Sequence, residues 1–188
     1  MELKQTIIER RSIRKFKDKE VPKKLIEEII KLSMWAPSAM NTQPWKFYVI
    51  GGNKKEEFKK IMCNSFKDLQ YRLHDLFKDK MVNMIEKYFT NFGNAPYFIA
   101  VTTDKLSNEV YQIGAYESAA AAIQNLSLAA HEAGLATCWM TGILWTENEI
   151  LEFLNATDKK LVAILTLGYP DQEPPIPPRK DEEIIWIE

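Results

Sequence analysis

Apolar residues along the chain fall into two rhythms, one helical and one strand-like. Leu25, Ile26, Ile29, Ile30 and Leu32 recur at helical spacing behind Val21-Pro22, which predicts a helix over Lys23–Leu32 with proline near its first turn. Lys46–Ile50 is short, apolar and stopped by Gly51-Gly52, the pattern of a buried strand. Residues 54–90 return to a helical rhythm, with Phe58, Ile61, Met62, Phe66, Leu69, Leu73, Leu76, Phe77, Met81, Met84 and Ile85 as apolar positions. That stretch is too polar to be all core; it reads as surface helices, with a cover over a pocket as the alternative. A turn over Asn91–Pro96 leads to a second strand, Tyr97–Thr102. Glu109–Ala133 is the most apolar helix, rich in alanine and closed by Gly134 as a C-cap, and it reads as the central helix. Strands are expected at Ala136–Thr141 and Leu161–Leu167. Between them Thr146-Glu147-Asn148-Glu149 starts a short helix into Ile150–Leu154.

The end of the chain breaks both rhythms. Asp171–Pro178 is proline-rich and extended, and it leads through Arg179-Lys180 to Ile184-Ile185-Trp186-Ile187. Such an arm does not easily fold back on itself. Its apolar end needs a surface, and a second copy of the chain is a candidate. Mixed strands and long helices point to α+β or α/β. With 188 residues and no internal repeats, a single domain over 1–188 is expected.

Composition narrows the function. Apolar residues are 46% and charged residues 27%, an ordinary globular balance. A formal net charge of -1 gives no global field to recruit nucleic acid or a membrane surface. Charge is uneven, however: residues 1–24 hold nine Lys/Arg against four Asp/Glu, and residues 171–188 hold two against six. Two cysteines, Cys63 and Cys138, and two histidines, His74 and His131, disfavour a metal site or a disulfide framework. No apolar run reaches the roughly 18 residues of a membrane span. The charged N-terminus lacks the apolar run of a secretory leader, so a cytoplasmic location is expected.

The candidate chemistry is binding apparatus. Arg10-Arg11-Ser12-Ile13-Arg14-Lys15-Phe16 places four cations and a hydroxyl within seven residues, with Ile13 and Phe16 as apolar anchors. If extended, it sets Arg10, Ser12 and Arg14 on one face and Ile13 on the other, a geometry that suits a small anion. Taken alone, the segment reads as a basic surface arm. Trp35–Trp45 is a shaped loop whose Pro37 and Pro44 limit its freedom. The seven glycines form neither G-x-G-x-x-G nor a Walker loop, and no G-x-S-x-G elbow occurs. His131 reads as a surface or satisfied histidine and Cys138 as a small core residue. Binding groups without an evident acid, base or nucleophile suit a protein whose bound cofactor does the chemistry.

Taken together, these motifs resemble the nitroreductase family of flavin mononucleotide (FMN) enzymes. Arg10–Phe16 resembles its first flavin-binding segment and Ala36–Trp45 its second. Gln124-Asn125-Leu126 with Gly134–Gly142 resembles the third, and Pro178-Arg179-Lys180 the last. The resemblance implies an α+β fold with a mixed β-sheet flanked by helices, and an intertwined homodimer that exchanges C-terminal arms. It implies that Arg10, Arg11 and Ser12 meet phosphate and ribityl groups and that Arg14 faces the N1/O2 edge of the ring. Pro37, Ser38, Met40, Asn41 and Gln43 would line the ring from the other subunit. Met140, Thr141 and Gly142 would lie beside it, with a Thr141 donor near N5. Arg179 and Lys180 would complete the phosphate clamp. A further contact would come from Lys87, Asn91 or Asn94, and residues 66–93 would cover the substrate face. The implied activity is NAD(P)H-dependent two-electron reduction of nitroaromatics, quinones or similar small acceptors through flavin N5, by a ping-pong scheme. Another flavin reaction, such as dehalogenation, or a non-catalytic flavin-binding role are the alternatives. A deiodinase-like Glu, Tyr and Lys clamp is not evident, since Glu86-Lys87-Tyr88 lacks a persuasive spacing.

Overall fold

A computed structural model describes residues 2–180 and 183–188. Helix α1 (Leu3–Glu9) precedes the basic segment, and α2 (Lys23–Ser33) follows it. The apolar stripe of α2 turns Ile26 and Ile29 into the core. Strand β1 (Lys46–Ile50) has the bounds its sequence suggests. The helical stretch after it is three helices, α3 (Lys54–Asn64), α4 (Phe66–Leu76) and α5 (Asp79–Asn91). Strand β2 (Tyr97–Asp104) then leads to α6 (Glu109–Glu132), β3 (Ala136–Met140), α7 (Glu147–Phe153) and β4 (Lys159–Gly168). Asn108 opens α6 by accepting from the backbone N–H of Val110 and Tyr111.

The sheet order is β1-β2-β4-β3, and every ladder in it is antiparallel. Because β2 and β3 both flank β4, they run parallel to each other, and α6 makes the crossover between them. Among the described residues, parallel pairing is confined to a bridge between Ser12 and Thr137, where the basic segment lies along the outer edge of β3. Alternation along β2 divides the core into two layers. Phe98 and Ala100 face a cluster with Ile13, Phe16, Phe58, Met62, Phe92 and Met140. Ile99 and Val101 face the other, with Ile26, Ile29, Ala119, Ile123 and Leu126 from α2 and α6. Both faces of β2 are therefore covered, which is why it reads as an unbroken apolar run.

The α+β expectation holds, but the sheet is antiparallel rather than mixed, because β4 lies between β2 and β3 and separates the two strands that run in the same direction. The C-terminal arm lies outside regular secondary structure, and its apolar end is bare within one chain: Ile185, Trp186 and Ile187 are 85%, 79% and 95% exposed. No helix of the described residues is long and apolar enough to cross a membrane.

Candidate active site

The basic segment is held extended by pairing and by its two anchors. Ile13 donates its backbone N–H to the Thr137 carbonyl at 3.0 Å, and Phe16 donates to the Gly93 carbonyl at 2.9 Å. Ile13 and Phe16 are buried, while Arg14 is exposed and Arg10, Arg11 and Ser12 are half-buried. Alternation thus does what the sequence suggests, sending Ile13 inward and leaving Arg14 toward solvent. Arg14 has one weak tether, from Nη1 to the Ser12 carbonyl at 3.4 Å.

Arg11 carries a second task. Its Nη1 donates to the carbonyls of Ile8 and Arg10, each at 2.6 Å, and so closes the C-terminal end of α1. The rest of its guanidinium is stranded: Nε and Nη2 are buried without a hydrogen-bond partner among the described residues. Arg10 Nε shares that condition. Burial, then the neighbouring charges of Arg11 and Arg179, hold the Arg10 pKa below its ordinary value. Arg179, some 170 residues away in sequence, is therefore close enough to repel Arg10 within one protomer. Buried donors on like charges are costly unless an anion meets them.

His131, near the end of α6, belongs to the same cluster. Its Nε2 is buried without a partner among the described residues, so it is neither a surface histidine nor a satisfied one. Burial lowers its pKa first, Glu9 opposes this, and Arg10 and Arg11 add to the lowering. An isolated histidine in an alanine-rich helix carries no sequence signal for that placement; only the packing of α1 against α6 creates it.

A second group gathers where β3 ends. Met140 is buried, Thr141 is exposed and Gly142 is half-buried. The Tyr88 hydroxyl on α5 contacts Met140 Sδ at 3.4 Å. Burial, with Cys138 beside it, pushes the Tyr88 phenol far above its ordinary pKa, so it stays protonated. Burial likewise pushes the Cys138 thiol up, against the pull of Arg14, Tyr88 and Arg10, which makes it a core residue rather than a nucleophile. Leu69 of α4 sits over Gly142, where an added Cβ would come within 3.0 Å of Leu69 Cδ2. Helices α4 and α5 thus reach over the Met140–Gly142 end of β3. Of the three candidates before β2, Asn91 spends its Oδ1 on the Gly93 N–H at 2.9 Å, whereas Lys87 and Asn94 are exposed.

The Trp35–Trp45 loop is rigid in a different way. Met40, Asn41 and Gln43 all adopt positive φ, at 51°, 55° and 47°, a costly choice for non-glycine residues. Internal bonds hold it. Gln43 donates its backbone N–H to Ser38 Oγ at 3.0 Å, and its side chain donates to Asn41 Oδ1 at 3.2 Å. Ala39 donates to Ser118 Oγ on α6 at 3.1 Å. Met40 is 82% exposed, and Pro37, Asn41 and Gln43 are exposed too. The loop therefore grips α6 near Ser118, while the arginine cluster lies by His131, about 20 Å further along that helix at 1.5 Å per residue. One protomer holds the two sets of candidate residues at separate stations. No group of His, Cys, Asp and Glu able to hold a metal occurs among the described residues.

Comparison with known proteins agrees with this architecture. The family model described as "Nitroreductase family" matches residues 7–169. An iodotyrosine deiodinase from Thermotoga neapolitana is 28% identical over 92% of this chain and 90% of its own length. A 4-nitrobenzoate reductase from Pseudomonas putida is 26% identical over 88% and 84%. A Desulfovibrio desulfuricans protein solved in complex with FMN superposes with a TM-score of 0.75 at 26% identity, covering 98% of this chain and 95% of that one. With the family model spanning most of the fold, and the basic segment and the end of β3 both inside the match, the chain belongs to the nitroreductase family.

Proposed function

We propose that the chain is an FMN-dependent NAD(P)H oxidoreductase that passes two electrons to nitroaromatics, quinones or similar small acceptors. The observation that carries this is the stranded charge of Arg10 and Arg11 beside Arg179. Buried, partnerless guanidinium nitrogens on Arg10 and Arg11, with the exposed Arg179 from the other end of the chain close by, call for a small dianion, and a flavin monophosphate supplies one. The residues present therefore fit the group. Relatives and neighbours bearing the names 4-nitrobenzoate reductase and iodotyrosine deiodinase, and one solved with FMN, support the same class.

When bound, FMN supplies the hydride chemistry at N5. Arg10, Ser12 and Arg179, with Lys180, hold its phosphate and ribityl chain. Arg11 adds charge there while closing α1. Arg14, free apart from its weak tether, sets a positive charge at the N1/O2 edge and stabilises negative charge developing there. Thr141 offers a donor near N5, between Met140 and Gly142. Pro37, Ser38, Met40, Asn41 and Gln43 line the ring from a second subunit. Their station about 20 Å along α6 from the arginines favours that division between two copies. The bare Ile184–Ile187 segment supports arm exchange in such a homodimer. A groove of about 660 Å³ between α2 and the end of β1, lined in part by Ile26, Ile30, Val49 and Tyr97, gives an arm somewhere to lie. Helices α4 and α5 cover the acceptor.

Nicotinamide and acceptor share one site in this reading, so ping-pong kinetics follow. Steady-state rates with NADH or NADPH against 4-nitrobenzoate and a quinone should give parallel double-reciprocal lines. Intersecting lines, or no turnover with any acceptor, would count against the assignment. A second reading, reductive dehalogenation, is favoured by the deiodinase relative. Halide release from an iodinated phenol, with negligible nitro reduction, would select it.

A further inference from the structure

We propose that His131 is a further basic group of the phosphate seat and takes up a proton when a flavin phosphate binds there. This rests on the reading of the Arg10 and Arg179 cluster as a phosphate site. What it adds is His131 Nε2, which joins Arg10 Nε, Arg11 Nε and Arg11 Nη2 as a fourth buried nitrogen without a partner among the described residues. Three residues from two elements thus point unsatisfied polar atoms into one neighbourhood. A neutral imidazole can leave Nε2 as a bare acceptor, but a protonated one must donate from both nitrogens. With no acceptor on Nε2 among the described residues, an acceptor arriving from outside gives it a bond in the protonated form.

Charges of both signs act on His131, so a new charge placed beside it moves its proton. Burial and the cations Arg10 and Arg11 oppose protonation. Glu9, on α1, favours it. So does the C-terminal end of α6, whose last turn contains His131 and carries partial negative charge. A phosphate dianion would cancel the repulsion from both arginines and add attraction of its own. The imidazole pKa then rises from below its ordinary value, and the site draws in a proton as it fills. Riboflavin, which lacks the phosphate, has no such effect.

Calorimetric titration of the flavin-free protein with FMN at pH 7, in buffers of different ionisation enthalpy, counts protons bound per flavin. The wild-type protein should take up more protons per flavin than the His131→Gln variant. Riboflavin should give no difference between them. Should His131→Gln fold poorly, imidazole NMR of the wild-type chain reads the same event directly. It has two histidine signals to separate, and His74 is exposed and serves as the internal reference. FMN, and not riboflavin, should move the His131 titration to higher pH. Equal proton counts in both proteins while FMN binds, or an unmoved His131 titration, would overturn the proposal and leave the flavin site standing. Failure of FMN to bind either protein would overturn both.

Discussion

Gly93 lies flush against the Arg14 carbonyl, and no side chain fits between them. A methyl at position 93 would overlap Arg14 O and C, and the residue also holds φ at +65°. The Gly93 carbonyl accepts from Phe16 N–H, so this one turn fixes the backbone on both sides of Arg14 and Lys15. Gly93→Ala should therefore destabilise the fold by about 1–3 kcal/mol and weaken FMN binding as the basic segment is pushed off its track. Urea unfolding and fluorescence titration with FMN check the two effects. Unchanged values in both would mean the turn does not position Arg14.

Arg14 itself is exposed and weakly tethered. Arg14→Ala should change stability by less than about 0.5 kcal/mol and lower the rate of flavin reduction by NAD(P)H on the order of 100-fold. Stopped-flow bleaching of the flavin band, set beside thermal unfolding, separates the two. Equal reduction rates in wild type and variant would remove Arg14 from the ring edge.

The bare apolar tail bears on assembly. Each large apolar side chain that gains cover contributes about 1.5–3 kcal/mol, and Ile184, Ile185, Trp186 and Ile187 are all exposed within one chain. Deleting residues 184–188 should weaken self-association on the order of 100-fold or more and reduce flavin retention with it. Sedimentation velocity over a concentration series provides the check. A truncated protein that dimerises as tightly as the full chain would contradict arm exchange.

Stability of the flavin-free protein should depend on pH through His131. Its folded pKa lies below the ordinary histidine value, so below about pH 6.5 the unfolded chain binds more protons than the folded one. The flavin-free fold therefore loses stability as pH falls through that range and regains it as pH rises. Adding FMN, which supplies the missing counter-charge, should flatten the dependence. Thermal unfolding of wild type and His131→Gln between pH 5.5 and 7.5 tests this, with the variant expected to show the shallower slope when flavin-free.

Much of this was open to a reading of the residues. Strand β1 keeps its bounds because Gly51-Gly52 ends it and both faces are partly covered. The buried strand β2 declares itself through an unbroken apolar run. The division of residues 54–91 into three helices was not legible, because no Gly or Pro marks the breaks. Ser65 turns the chain with its hydroxyl on the Met62 carbonyl, and Phe77 simply becomes extended. Antiparallel pairing throughout the sheet was equally hidden, since a long helix between β2 and β3 also suits a parallel βαβ unit. Of the site, Arg10, Arg14 and the shaped loop stood out by residue type. His131 and Tyr88 did not, since each acquires its role only from what tertiary packing brings against it.

The central claim is that arginines from both ends of the chain share one phosphate. The most direct measurement compares FMN with riboflavin on flavin-free protein, in wild type, Arg10→Ala and Arg179→Ala. A charge-assisted bond contributes about 1.5–3 kcal/mol, so FMN should bind wild type at least about 100-fold tighter than riboflavin, and each substitution should erode that margin by weakening FMN more than riboflavin. Equal affinity for the two flavins in wild type, or a margin that survives both substitutions, would contradict it.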